Sequence, residues 1–288
     1  MNDQLAEDPP TILDRMQRQA TRHETPCGNG RMVWHLWDQS SGEAPVVALL
    51  HGGAGSWRHW IRTIPALVTQ YRVLVPDLPG LGESDEPPVD DDADAIARVV
   101  ADGIDTIIGA GASYDAVGFS FGATMAACVG ALHGTRVRSV TIIGSSGVGP
   151  PGSMVTLEKV RHLEGQERQD THRVNLSRLM IADPEKIDAL ALTIQDWNTD
   201  RSRLRTPALS RSGAIMRAID RLQSPLNGMW GEFDAPANPR GPERAAILRA
   251  HRPDADIRVI PGTGHWAAYE SADTVNAILL EMLDQARR

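Results

Sequence analysis

Apolar positions along this chain alternate between two spacings. Short, nearly continuous apolar runs occur at 45–50, 72–75, 115–119, 137–143, 226–231 and 257–260. This is the pattern of strands covered on both faces. Between them the spacing turns helical over 57–69, 94–108, 242–250 and 275–283, with Ile96, Val99, Val100, Ile104, Ile107 and Ile108 on one face of the second. Residues 31–37 alternate as a half-exposed strand entered through an Asn29-Gly30 turn. Residues 1–20 are polar and predict a loose lead-in with one short helix. Strands alternating with helices predict an α/β fold: a mostly parallel twisted sheet with helices on both faces.

The alternation stops at Pro150-Pro151-Gly152, and no strand-like run follows until about residue 225. Asp183-Pro184-Glu185 reads as a capped helix start, followed by Ile187, Leu190, Ala191, Ile194 and Trp197 at helical spacing. We therefore expect a core over 1–149, an inserted helical lid over 150–224, and a second part of the core over 225–288.

Charge and composition narrow the function. The 288 residues carry 29 Lys and Arg against 37 Asp and Glu, a net −8, and show no basic face for nucleic acid. No apolar run approaches the roughly 20 residues of a membrane span. The first residues lack a signal peptide's basic and apolar regions, so the expected location is cytoplasmic, without membrane association. Cys27 and Cys128 form no ligand-like pair, so neither a disulfide nor a metal site is expected.

Chemistry concentrates just past the predicted strand ends. Gly118-Phe119-Ser120-Phe121-Gly122 places a serine between glycines at a strand-to-helix turn. Such a turn exposes the hydroxyl and aims the next N–H at the same point. A serine nucleophile needs a base and a carboxylate to orient that base. Asp234 and His265 follow late strands in the appropriate chain order, with Glu232 as an alternative carboxylate. His51 reads as a hydrogen-bonding element of its turn and Asp77 as the cap of its own loop. Trp57 and Trp60 read as core or cleft wall, and His251 as a surface residue.

Five motifs carry a resemblance: Leu50-His51-Gly52-Gly53, the loop from Asp77 to Ser84, Gly118 to Gly122, Trp230-Gly231-Glu232-Phe233-Asp234, and Gly264-His265-Trp266. In this order and spacing they resemble the α/β-hydrolase family across nearly the whole chain. The resemblance implies Ser120 as nucleophile, His265 as base and Asp234 as its orienting acid. It implies an oxyanion hole from the N–H groups of Phe121 and Gly53, with Ala54 a close candidate. It requires no metal and no cofactor. The substrate pocket is expected to draw on Phe119, Trp197, Trp266 and Arg201.

Gly264-His265-Trp266 and the lid look most like hydrolases of meta-cleavage products, which cut a carbon–carbon bond in vinylogous diketones. That subfamily has Asn where this chain has Phe119. Its Gly-Pro-Gly loop is shortened here to Gly52-Gly53-Ala54-Gly55. Its lid arginine that recognises the dienoate would fall near Gln195 or Asp196, so it is missing here or displaced to Arg201 or Arg203. The preferred reading is a small-molecule carboxylic-ester hydrolase with an apolar acyl pocket, acting as monomer or homodimer. Carbon–carbon hydrolysis is the alternative, perhydrolysis uses the same triad, and a non-catalytic ligand-binding protein is the reading from another class.

Overall fold

A computed structural model describes residues 7–149, 155–236 and 241–287; the break at Pro150-Pro151-Gly152 lies outside the described residues. Eight strands form one sheet: β1 (Thr21–Cys27), β2 (Gly30–Trp37), β3 (Val46–Leu50), β4 (Arg72–Pro76), β5 (Tyr114–Phe119), β6 (Val137–Ile143), β7 (Leu226–Gly231) and β8 (Asp256–Ile260). Their order is β1-β2-β4-β3-β5-β6-β7-β8. β2 runs antiparallel to β1 and β4, and all other neighbours are parallel.

The period of two along each strand divides the core between two layers. In β3, Val46, Ala48 and Leu50 enter one hydrophobic cluster while Val47 and Leu49 enter the other. The first layer receives α3 (Ala93–Ile108) through Ile96, Val100 and Ile104, α4 (Phe121–His133) through Met125 and Val129, α8 (Ala214–Ile219) through Ile215 and Ile219, and α9 (Gly241–His251) through Leu248. The second receives α1 (Pro9–Arg18) through Leu13 and Met16, α2 (Ile64–Leu67), and α11 (Ala272–Gln285) through Leu279 and Leu283. Between β6 and β7 the described residues hold α5 (Gly165–Leu179), α6 (Ala189–Asp200), α7 (Thr206–Ser210) and α8, and no strand. A one-turn helix, α10 (Ala267–Glu270), follows β8.

Local corrections each have a physical cause. The one short helix expected within residues 1–20 is α1, and it is docked where a loose segment was expected: Asp8 caps it by accepting from Thr11 N at 2.8 Å, and Leu13 and Met16 are buried. β1 was not expected because its sequence is polar, and its outward positions are exposed, as suits an edge strand. Cys27 pairs with Gly30, so the hairpin turn is Gly28-Asn29, one residue earlier than expected, with Gly28 at φ 57°. The helix expected over 57–69 divides into a 3₁₀ turn (Trp57–Trp60) and α2, because Pro65 fits only the first turn of a helix. Asp183 caps a 3₁₀ turn instead of the helix; Ile187 leaves helical geometry at ψ 78°, and Asp188 caps α6 through Ala191 N at 2.8 Å.

Candidate active site

Parallel strands deliver their following loops to one edge of a sheet, where sites of such folds form. β5 ends at Phe119, and Ser120 follows at φ 55° and ψ −113°, a conformation side chains rarely adopt. Two glycines permit it. A Cβ on Gly118 would lie 2.1 Å from the carbonyl oxygen of Gly122, and one on Gly122 would lie 2.1 Å from that of Leu50. Ser120 N donates to Ile143 O at 2.8 Å, fixing the turn to β6. Phe121, as the first residue of α4, has an N–H without a partner inside its helix.

The three residues expected to cooperate meet here. His265 Nε2 lies 3.0 Å from Ser120 Oγ, and His265 Nδ1 lies 3.0 Å from Asp234 Oδ1. Both His265 and Asp234 are buried. The carboxylate partner fixes the tautomer: Nδ1 carries the proton it donates to Asp234, leaving Nε2 to accept from the serine. Glu232 is placed differently, accepting from Gly262 N at 2.8 Å and bracing the turn after β8.

A cavity of about 700 Å³ opens above Ser120 and His265. Gly53, Ala54, Phe119 and Phe121 line it, and Leu157, Leu179, Met180 and Leu204 add apolar wall from the segment between β6 and β7. Ala54 sits at φ 47°, so the loop after β3 is held in a turn few side chains adopt. Three residues expected in the pocket lie outside its wall. Trp197 is enclosed by guanidinium groups, with Arg58 3.5 Å and Arg201 4.2 Å from its ring centre, because α6 turns this edge toward α1. Arg201 is accordingly committed to that stack. Trp266 is fully buried: its indole N–H donates to His59 O at 2.9 Å and its ring stacks on Tyr269 at 4.2 Å. Arg203 and Arg205 reach the wall in their place.

Buried polar groups hold the loops around the site. His51 accepts from Leu78 N at 2.8 Å through Nε2 and donates to Gly52 O at 2.7 Å through Nδ1. Burial holds its imidazole neutral, with the pKa lowered to about 4. Asp77 accepts from Trp57 N and Glu83 N at 2.8 Å each, so it caps its own loop and anchors the 3₁₀ turn; burial raises its pKa to about 6. His59 packs edge-on to Phe119, and burial, with His51 and His265 nearby, keeps its pKa well below the ordinary value.

Two supporting residues escaped the sequence reading. Glu270 is buried and accepts from Gly264 N at 2.6 Å, Ala182 N at 3.1 Å and Asp183 N at 2.8 Å, joining the His265 loop to the chain before α6. Arg244, fully buried, donates to the carbonyls of Ser146, Val148 and Pro236, tying the loop after β6 to the one that carries Asp234. Nothing in the local sequence distinguishes either from a helix-surface charge.

Sheet order, strand-end loops and the Ser120 turn together define an α/β hydrolase. The chain belongs to the alpha/beta hydrolase fold family, whose model matches residues 45–272. It is 29% identical over 269 residues to a 2-hydroxy-6-oxo-6-phenylhexa-2,4-dienoate hydrolase of Burkholderia cepacia, covering 86% of this chain and 90% of that protein. The fold is shared with the enol-lactonase of Burkholderia xenovorans LB400 (TM-score 0.71, 18% identity, 91% of this chain and 100% of that one). It is shared also with the 2-hydroxy-6-oxo-6-phenylhexa-2,4-dienoate hydrolase of Rhodococcus sp. strain RHA1 (TM-score 0.69, 19% identity, 92% and 99%).

Proposed function

We propose that this chain is a serine hydrolase that cleaves small-molecule carboxylic esters through an acyl-enzyme. The observation that carries this reading is the hydrogen-bonded line from Asp234 through His265 to Ser120, with both contacts at 3.0 Å, at the floor of the cavity. Ser120 Oγ attacks the acyl carbon while its proton passes to His265 Nε2. The N–H groups of Phe121 and of Gly53 or Ala54 stabilise the resulting oxyanion; loss of one such donor typically costs about 10²–10³ in rate. The imidazolium then protonates the departing alcohol. Water, deprotonated by the same imidazole, releases the acid and restores Ser120. Asp234 keeps the imidazole oriented and stabilises its cation.

Phe119, Leu179, Met180 and Leu204 give the acyl group apolar surroundings, which supports the ester reading. The relative named for dienoate hydrolysis supports a second reading, hydrolysis of a carbon–carbon bond in a meta-cleavage product by the same three residues. p-Nitrophenyl acetate and butyrate, assayed beside a meta-cleavage dienoate, separate the two. We expect turnover of the esters by the native chain and its loss in Ser120→Ala. Equal ester rates in the two proteins would remove the proposal, and turnover of the dienoate alone would favour the second reading.

A further inference from the structure

Four arginines, Arg161, Arg203, Arg205 and Arg211, line the cavity above Ser120, and among the described residues no aspartate or glutamate does. Asp234 is buried against His265 and takes no part in the wall. This clustering runs against the chain's net −8. The stretch 153–222, which supplies all four, holds twelve Lys and Arg against ten Asp and Glu.

Two of the four are occupied. Arg161 donates to Thr199 O at 3.2 Å and Ser202 O at 2.5 Å, and Arg203 donates to the carbonyls of Gly82 and Ser84. The Arg161 bonds brace the segment between β6 and β7 internally, and those of Arg203 join it to the loop after β4. Arg205 and Arg211 differ: neither side chain forms a hydrogen bond, ion pair or ring contact with a described residue. Both are exposed, so they stand at the cavity's outer rim. They flank α7, whose Thr206, Pro207 and Ser210 face the same space. An isolated surface arginine carries no such meaning, because its head is ordinarily solvated. Here two uncommitted guanidinium groups share one concave wall that offers no opposite charge. Such walls concentrate anions, and guanidinium forks match the geometry of carboxylate and phosphate.

We propose that Arg205 and Arg211 hold an anionic group, a carboxylate or a phosphate, at the non-reacting end of the substrate while its ester carbonyl lies at Ser120. The proposal rests on the serine-hydrolase reading and narrows its substrate class to esters that carry a negative charge.

The test compares mono-4-nitrophenyl adipate with its neutral analogue 4-nitrophenyl heptanoate. We expect kcat/KM to favour the anionic ester, and the preference to shrink as NaCl rises and screens the rim. In Arg205→Gln/Arg211→Gln the ratio of anionic to neutral kcat/KM should fall about tenfold or more, as loss of charge-assisted hydrogen bonds implies. Arg201→Gln, altered outside the wall, should keep the ratio within about twofold. A ratio near unity in the native chain, or one unmoved by the double substitution, would overturn the proposal and leave ester hydrolysis standing.

Binding of both esters to Ser120→Ala, followed by calorimetry, reads the anion preference even if turnover is absent. Failure of the serine-hydrolase reading is thereby separated from failure of this one. Competition by adipate and by phenyl phosphate in the same experiment identifies which anion the rim prefers, and displacement by neither would also overturn the proposal.

Discussion

Ser120 is held in a strained backbone, and its hydroxyl faces an imidazole whose other nitrogen is committed to Asp234. The role of that carboxylate is open to a direct check. Asp234→Asn keeps the volume but can place an amide N–H against His265, favouring the wrong tautomer. We expect kcat/KM toward p-nitrophenyl butyrate to fall by about 10⁴, with the circular dichroism spectrum unchanged; a loss under tenfold would contradict the assignment. At this scale the sequence was informative where chemistry needs a particular residue in a particular turn. Ser120, Asp234 and His265 each follow a strand, and Gly118 and Gly122 mark the serine turn. It was silent on Glu270 and Arg244, because a buried charge and an exposed one look alike until the partner carbonyls and amides are in place. It misassigned Trp197, Trp266 and Arg201 for a related reason: which face of α6, and which side of the His265 loop, turns to the cavity is decided by packing on α1 and on Tyr269.

Among the elements, the β5–α4 unit is the one with least tolerance. Its crossing with β3 is so close that Gly122 leaves no room for a methyl group against Leu50 O. Gly122→Ala should therefore cost about 1–3 kcal/mol or more in urea unfolding, the range for forced overpacking. Gly111→Ala is its control: nothing lies within 4 Å of the added Cβ, so it should be neutral or stabilising by up to about 1 kcal/mol. Comparable losses in both variants would show that close approach does not govern this unit. The strands β3 to β7 were legible as apolar runs because they are covered on both faces, and β8, an edge strand that leaves Val259 exposed, through its isoleucines and valine. β1 was not, since an edge strand with Thr21, Arg22, Glu24 and Pro26 exposed carries no apolar signal. The break in the helix at 57–69 leaves no mark in the apolar spacing, which continues through Pro65: the proline interrupts the backbone without interrupting the pattern.

For the molecule as a whole, buried histidines set how stability responds to acid. Burial lowers the pKa of His35 to about 3 and that of His51 to about 4, and holds His59 well below the ordinary value. An unfolded chain takes up these protons near pH 6.5, whereas the folded one refuses them until about pH 4 or below. Between those limits the unfolded state binds up to three more protons, so stability falls as pH drops. Asp77 acts in the opposite sense. Its folded pKa of about 6 lies above the unfolded value, so the native state holds an extra proton below pH 6 and gains by it. With about two protons net, unfolding free energy should decline by about 3 kcal/mol per pH unit near pH 5. Urea unfolding at pH 7.5, 6 and 5 checks this. A midpoint that stays level or rises on acidification would contradict the balance, and His35→Phe should flatten the slope by about one proton's share.

The central claim, that Ser120 is the nucleophile, is tested most directly by covalent capture. The protein is incubated with an alkyl fluorophosphonate and the modified peptide is read by mass spectrometry. We expect a single adduct on the peptide carrying Ser120, loss of ester turnover in proportion to labelling, and no adduct in Ser120→Ala. Full ester turnover with Ser120 unlabelled, or an adduct at another residue that accounts for the lost activity, would contradict the account.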